Sequence, residues 1–338
     1  MIVDKISRIS LNNSLRYIIF FLILLFGNSC DSGDEIPVIT VNDESVIDDS
    51  QLQHIQQINN QAHQHKDKTT KDVLYFGFDL RASPQEDLAQ YLPFLKYLQL
   101  TTGYQFKIHF TAKSSSAVED LGNDTTQLAA MGATSFLEAQ QKYDAVSLVR
   151  GLNKENKASY QSVFVTRPDS RITKIKQIRG KRLAFGSRDS TQGHLIPRIM
   201  LTDNNISLKD LQSYIYTGSH QNCAESVVSG KTDVCGMQDQ LAKTLASRGL
   251  VKIIHSSAPY PSSGIVASKH LPEEMRISIK KALLDFDPIG KHNQGLYHWE
   301  NTEMPLGFTQ AKANDYDNLR HWSVKLGFLN PSQEQDKL

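Results

Sequence analysis

The sequence predicts an α/β fold of two similar lobes, on three observations. Short apolar runs of strand character alternate with helical patterns from residue 73 onward, and such alternation builds parallel sheet layers covered by helices. The series begins again after residue 160. Two segments, Tyr160 to Val165 and Ile265 to Ser268, are placed to cross between the halves as paired hinge strands.

The elements follow in order. Val73 to Phe78 reads as a buried first strand. Ser83 can cap the next helix, Pro84 suits its first position, and Leu88, Tyr91, Leu92, Leu95 and Leu98 recur at helical spacing up to Gly103. Phe106 to Phe110 alternates as a strand. A short helix around Val118 and Leu121, a strand at Leu128 to Met131, a helix at Phe136 to Gln140 and a strand at Ala145 to Val149 complete the first series. The second has strands at Arg182 to Phe185, Tyr214 to Tyr216, Thr232 to Cys235 and Val251 to Ile254. Between them lie helices at Leu195 to Leu201, Asn222 to Val228 and Leu241 to Leu245. A last helix runs from Pro272 to about Phe286, and Trp322, Leu326 and Phe328 are expected to wrap back on the first lobe. The expected boundaries are 73–163 with 262–330 for lobe 1 and 164–261 for lobe 2.

Ahead of the body, Lys5, Arg8 and Arg16 precede an apolar run from Tyr17 to Phe26, too short for a membrane span. Gly27-Asn28-Ser29-Cys30 follows, so residues 1–30 read as an export signal. The small residues before Cys30 resemble a lipoprotein lipobox, which implies lipidation of Cys30 and a periplasmic, lipid-anchored protein; an uncleaved anchor is the alternative. Asp31 resembles an inner-membrane retention signal. Residues 31–71, acidic and then rich in Gln, Asn and His, are expected to form a flexible tether. His63 and His65 there read as solvated side chains, and no metal or cofactor is expected. With 37 Lys plus Arg against 36 Asp plus Glu and no basic stripe, the chain is not expected to bind nucleic acid.

The chemistry concentrates at Gly186-Ser187-Arg188-Asp189-Ser190-Thr191-Gln192-Gly193-His194, a strand-to-helix turn. The first amides of a helix lack intrahelical partners and its positive end points outward, so an oxyanion could be held there, with the Ser190 and Thr191 hydroxyls beside it. An ordinary N-cap is the other reading of the same residues. Ser114, Ser115 and Ser116 precede a second helix and admit the same two readings.

Ser190-Thr191-x-Gly193 with Pro197, then Gly218-Ser219-His220 with Ala224, Val227, Gly230 and Asp233, resemble motifs of periplasmic substrate-binding proteins of phosphonate, phosphite and phosphate ABC importers. Ser159-Tyr160-x-Ser162-Val163 and Pro261-x-x-Gly264-Ile265-Val266 are similar to that family's hinge strands, and the resemblance spans roughly residues 73–330. It implies a type II-like periplasmic-binding-protein clamshell closing on its ligand. It also implies that Ser190, Thr191, Gln192 and Gly193 hold the oxyanion and that His220 donates from the facing helix. Gln192 replaces a family serine. Ser114, Ser115 and Met131 fall near family ligand positions in the first lobe, and Tyr160 and Ser263 stand at the hinge. The carboxylates that hold an amino substituent are missing from their family positions, with Ser263 near one and Asp239 uncertain for the other, so an aminoalkylphosphonate is not the expected ligand.

Cys223 and Cys235 are the cysteines of the body, and an oxidising compartment favours a disulfide between them over a soft-ligand site beside His220. No nucleophile and base arrangement stands out, so an enzyme is not expected. The expected function is ligand capture for an ABC permease in the inner membrane. A binding protein partnering a membrane histidine kinase and, further off, an exported phosphoester hydrolase are the alternatives.

Overall fold

The computed structural model describes residues 39–40, 73–79, 84–112 and 114–331. The expected export signal, Cys30 and most of the 31–71 segment lie outside them. Ile39–Thr40, inside the expected tether, is a short strand (β1) pairing antiparallel with Ile108 and Lys107. Among the described residues no helix is long and apolar enough to cross a membrane.

Two mixed sheets carry the molecule. The first contains β1, β2 (Val73–Phe78), β3 (Gln105–Ile108), β4 (Leu128–Met131), β5 (Val146–Gly151), β13 (Gly264–Ala267) and β14 (Phe308–Gln310), in the order β1-β3-β2-β4-β13-β5-β14. The second contains β7 (Ser162–Thr166), β8 (Arg182–Phe185), β9 (Ser213–Tyr216), β10 (Val234–Gln238) and β11 (Lys252–Ser256), in the order β11-β7-β10-β8-β9. Between them β6 (Ser159–Tyr160) and β12 (Tyr260–Pro261) pair antiparallel as a two-stranded ribbon.

The expectation of parallel sheets is corrected here. β2 runs parallel to β3 and β4, and β8 to β9 and β10. The crossing strands enter antiparallel: β13 lies between β4 and β5, and β7 between β10 and β11. The reason is topological, because each arrives from the other sheet and runs into the layer against its parallel members. Both are buried along their whole length and purely apolar or small in sequence, as central strands require.

Among the described residues eight α-helices cover the sheets: α1 (Pro84–Thr102), α2 (Ala117–Gly122), α3 (Ala133–Tyr143), α4 (Ile196–Asp203), α5 (His220–Val228), α6 (Asp239–Ser247), α7 (Glu273–Asp285) and α8 (Asp317–Lys325). Under α1 and α7 an aromatic core joins Tyr91, Phe94, Phe286, Trp299 and Phe308, with Phe94 stacked on Trp299 at 5.0 Å. The C-terminal segment reaches further than expected. It packs Tyr316 on Phe136 of α3 at 5.0 Å, and it also brings Phe328 to 4.7 Å from His194, two residues before α4 beside the second sheet.

Candidate functional site

A cavity of about 560 Å³ opens between the two sheets. Its lining follows the carboxyl ends of parallel strands: Asp79 after β2, Thr111 after β3, Gly132 after β4, Ser187 after β8 and Ser219 after β9. Ligands of α/β sheets bind in that crevice. Four helical segments begin on its wall. Ser116 caps α2, accepting from the Glu119 amide at 3.2 Å; Ser190 caps the turn before α4, accepting from Gly193 at 2.8 Å; Ser219 caps α5, accepting from Asn222 at 3.1 Å. Gly132 begins α3 without a side-chain cap. A hydroxyl that accepts in a cap still has its proton to donate, so Ser116 and Ser190 combine a donor with the positive end of a helix.

The turn at Thr191–Leu195 is π-helical, with the amides of His194 and Leu195 both bonded to the Ser190 carbonyl at 3.0 and 3.1 Å. Its first amides, of Thr191 and Gln192, precede any intrahelical acceptor. Gly193 does not line the cavity; it makes room. A Cβ there would stand 2.8 Å from Ser190 Oγ, 3.0 Å from His220 Cε1 and 3.1 Å from the Gly186 Cα. Gln192 lines the cavity, but its side chain is engaged: Nε2 donates to the Gln161 carbonyl at 2.7 Å, while the Gln192 backbone carbonyl accepts from Ser162 Oγ at 2.7 Å. Both bonds fasten the turn to the crossing segment.

His220 opens α5 directly after Gly218, whose φ of +83° only glycine adopts readily, and Ser219. The ring is buried over Gly193 and lines the cavity. Its Nδ1 accepts the Gln238 amide at 3.4 Å, which fixes the proton of the neutral ring on Nε2. Cys223 of α5 and Cys235 of β10 form a disulfide. The helix bearing His220 is thereby stapled to the strand whose end meets its ring.

On the first wall the structure departs from the expected set. Ser114 is exposed and lines nothing in the cavity. Ser115 lines it, but its amide donates to Ala112 at 3.0 Å and its hydroxyl to Asp120 Oδ1 at 2.9 Å. Both of its donors are therefore used. Asp120 in turn faces His109 Nε2 at 3.3 Å, a buried pair behind the wall. Met131 is 1% exposed and sits in the hydrophobic core, not on the cavity, because the inward face of β4 is covered by α2 and α3. Tyr160 and Ser263 do line the cavity, and Ser263 donates to the Glu303 carboxylate.

Sequence reasoning missed the acidic groups. Asp79, Glu138, Asp189 and Glu303 all line the cavity, and among its described lining residues there is no Lys or Arg. Asp79 accepts the Gly132 amide at 2.9 Å, and Glu138 holds Lys142 at 2.5 Å. Burial by its surroundings and the facing charge of Glu138 push the Asp189 carboxyl up. Asp239 is buried against Lys243 at 2.7 Å and does not line the cavity. The ground for setting aside an amino-substituted ligand falls, since carboxylates are present at other positions. Asp79 was within reach of the carboxyl-end rule; Glu303, in an irregular loop, carried no local signal.

Comparison with known proteins agrees with this architecture. The family of periplasmic substrate-binding proteins of phosphonate ABC transporters matches residues 76–316. A probable ABC transporter phosphite-binding protein, PhnD1 of Prochlorococcus marinus, is 27% identical over 279 residues, covering 76% of this chain and 86% of the relative. The phosphate-import protein PhnD of Mycolicibacterium smegmatis is 24% identical over 278 residues, covering 75% and 87%. The solved structure of the Prochlorococcus PhnD1 with methylphosphonate superposes with a TM-score of 0.69 at 19% identity, covering 76% of this chain and 99% of that one. That likeness gives the same two-lobed fold. A family match over most of the body, on a chain whose two sheets are joined by paired crossing strands around a cleft, places this protein among the periplasmic substrate-binding proteins of phosphonate ABC transporters.

Proposed function

We propose that the chain captures a phosphorus oxyanion, phosphate, phosphite or a phosphonate, in the cleft and presents it to a membrane permease. The supporting observation is the convergence of helix N-termini on one cavity lined by Ser116, Ser190, Thr191, Gln192 and His220, whose hydroxyls, first-turn amides and imidazole are uncharged donors. Neutral donors of this kind compensate an anion without a buried counter-charge. The lobes, expected as 73–163 with 262–330 and 164–261 but with the first crossing set before Ser162 so that β7 stays whole in the second sheet, close around it, and the ligand's contacts with both shift the population. The chain breaks no bond and works at the periplasmic face, exported and held to the membrane through Cys30.

A cavity of about 560 Å³ has room for a substituent beyond the oxyanion. Glu303, held by Ser263, favours a phosphonate whose substituent donates hydrogen bonds. Calorimetry and melting curves of the protein with phosphate, phosphite, methylphosphonate, 2-aminoethylphosphonate and sulfate test both readings. Ligands of the folded state raise the melting temperature. A response to none of the phosphorus ions overturns the proposed function, and Glu303→Gln should lower affinity for the amino-substituted ligand about tenfold relative to methylphosphonate.

A further inference from the structure

Thr191, which the family resemblance assigns to the ligand, has its hydroxyl engaged elsewhere. Its Oγ1 accepts the backbone N–H of Thr134 at 2.9 Å and shares a second hydrogen bond with Thr134 Oγ1 at 3.0 Å. The two residues are 4% exposed each. They belong to opposite sides of the cleft: Thr191 follows β8 of the five-stranded sheet, and Thr134 stands in the first turn of α3, after β4 of the seven-stranded sheet.

The helix that receives this contact lacks a cap of its own. Gly132 occupies its N-cap position with no side chain to offer. Its first-turn amides need an acceptor, and Thr191 supplies one from the facing lobe. Glycine at 132 is also what allows the approach, since a Cβ there would stand 3.2 Å from Thr191 Oγ1.

We propose that Thr191 is the closure latch of the protein, a helix cap delivered in trans that completes α3 only when the lobes meet. Separation of the lobes returns the Thr134 amide to water, so the cap adds to the free energy of closing before any ligand arrives. Thr191 then acts on affinity through the fraction of closed protein, because a ligand that needs the closed form binds in proportion to that fraction. The proposal rests on the two-lobed reading but not on the identity of the ligand.

Hydrogen exchange at the Thr134 amide in the ligand-free protein, with small-angle scattering as a second reading, tests it. One hydrogen bond of ordinary strength alters the open-to-closed ratio about fivefold. Thr191→Val should therefore speed exchange at Thr134 about fivefold and enlarge the ligand-free particle, whereas Thr191→Ser, which keeps the acceptor, should match the parent. Unchanged exchange in Thr191→Val, or equally fast exchange in Thr191→Ser, overturns the proposal. If Thr191→Val does not fold, Gly132→Ala, which intrudes on the same contact from the other lobe, carries the same two outcomes. Since no ligand is present, loss of oxyanion binding and loss of the latch are read separately.

Discussion

Gly193 lies directly beneath His220: a methyl group on its α-carbon would come within 3.0 Å of the imidazole Cε1 and 2.8 Å of the Ser190 hydroxyl. The backbone at 193 is helical, so the conflict is one of space alone. Gly193→Ala should displace Ser190 and His220, the two donors proposed for the oxyanion, lowering affinity at least tenfold by calorimetry. Overpacking of this kind costs about 1–3 kcal/mol of stability, visible in urea unfolding.

His220 lines the cavity, and its Nδ1 accepts the Gln238 amide, which places the proton of the neutral ring on Nε2. His220→Ala should weaken oxyanion binding by about 1.5–3 kcal/mol, the value of a hydrogen bond to a charged group. Titration calorimetry with the tightest-binding ion checks this, and an unaltered Kd would remove the ring from the site.

His194 governs stability in acid. Burial, with the charges of Arg198 and Arg188 beside it, pushes its pKa down to about 4, against the pull of the Arg188 carbonyl. That carbonyl accepts from Nδ1 at 2.7 Å, and Nε2 accepts the Tyr216 hydroxyl at 3.1 Å, so the neutral ring is fully used. The unfolded chain binds a proton near pH 6.5 and the folded chain only near 4. Stability therefore rises with pH across that window, is complete above it, and is lost as pH falls through it, by on the order of 3 kcal/mol. Denaturant midpoints between pH 4 and 7 measure the slope, which His194→Gln should flatten.

The disulfide closes a loop of 12 residues and is fully buried. Replacing Cys223 and Cys235 by alanine should cost about 2–3 kcal/mol by the loop-entropy relation. It should also weaken oxyanion binding by loosening α5 against β10. Melting temperature and Kd measured on the same variant separate the two effects. In the folded parent, a reductant should act only slowly on the buried sulfurs.

Much of this was legible in the chain. The strand and helix series from Val73 to Phe286 could be followed because each element keeps its own period, and the Ser190 turn declared itself by standing between a strand and a helix. What escaped depended on the third dimension. Met131 falls near a family ligand position, yet a strand covered on its inward face turns such a side chain into the core. Ser115 has the right chemistry, but Asp120, five residues on, captures its proton. Glu303 lines the cavity beside Ser263, 40 residues distant, and with a strand and a helix between them no spacing rule joins the two. The antiparallel entry of β7 and β13 was hidden because direction within a sheet leaves no mark on a strand's composition.

That entry bears on how the chain is assembled. Every strand of the five-stranded sheet comes from one uninterrupted stretch, 162–256, while the seven-stranded sheet receives β13 and β14 only afterwards. As the chain is made, the earlier segment emerges with β4 and β5 still unjoined, their facing edges open to foreign pairing until residue 264 arrives between them. A chain truncated before that point has no means of sealing its first half. The inserted stretch, by contrast, gives no strand to the seven-stranded sheet, which keeps its full complement whatever is altered between 162 and 256.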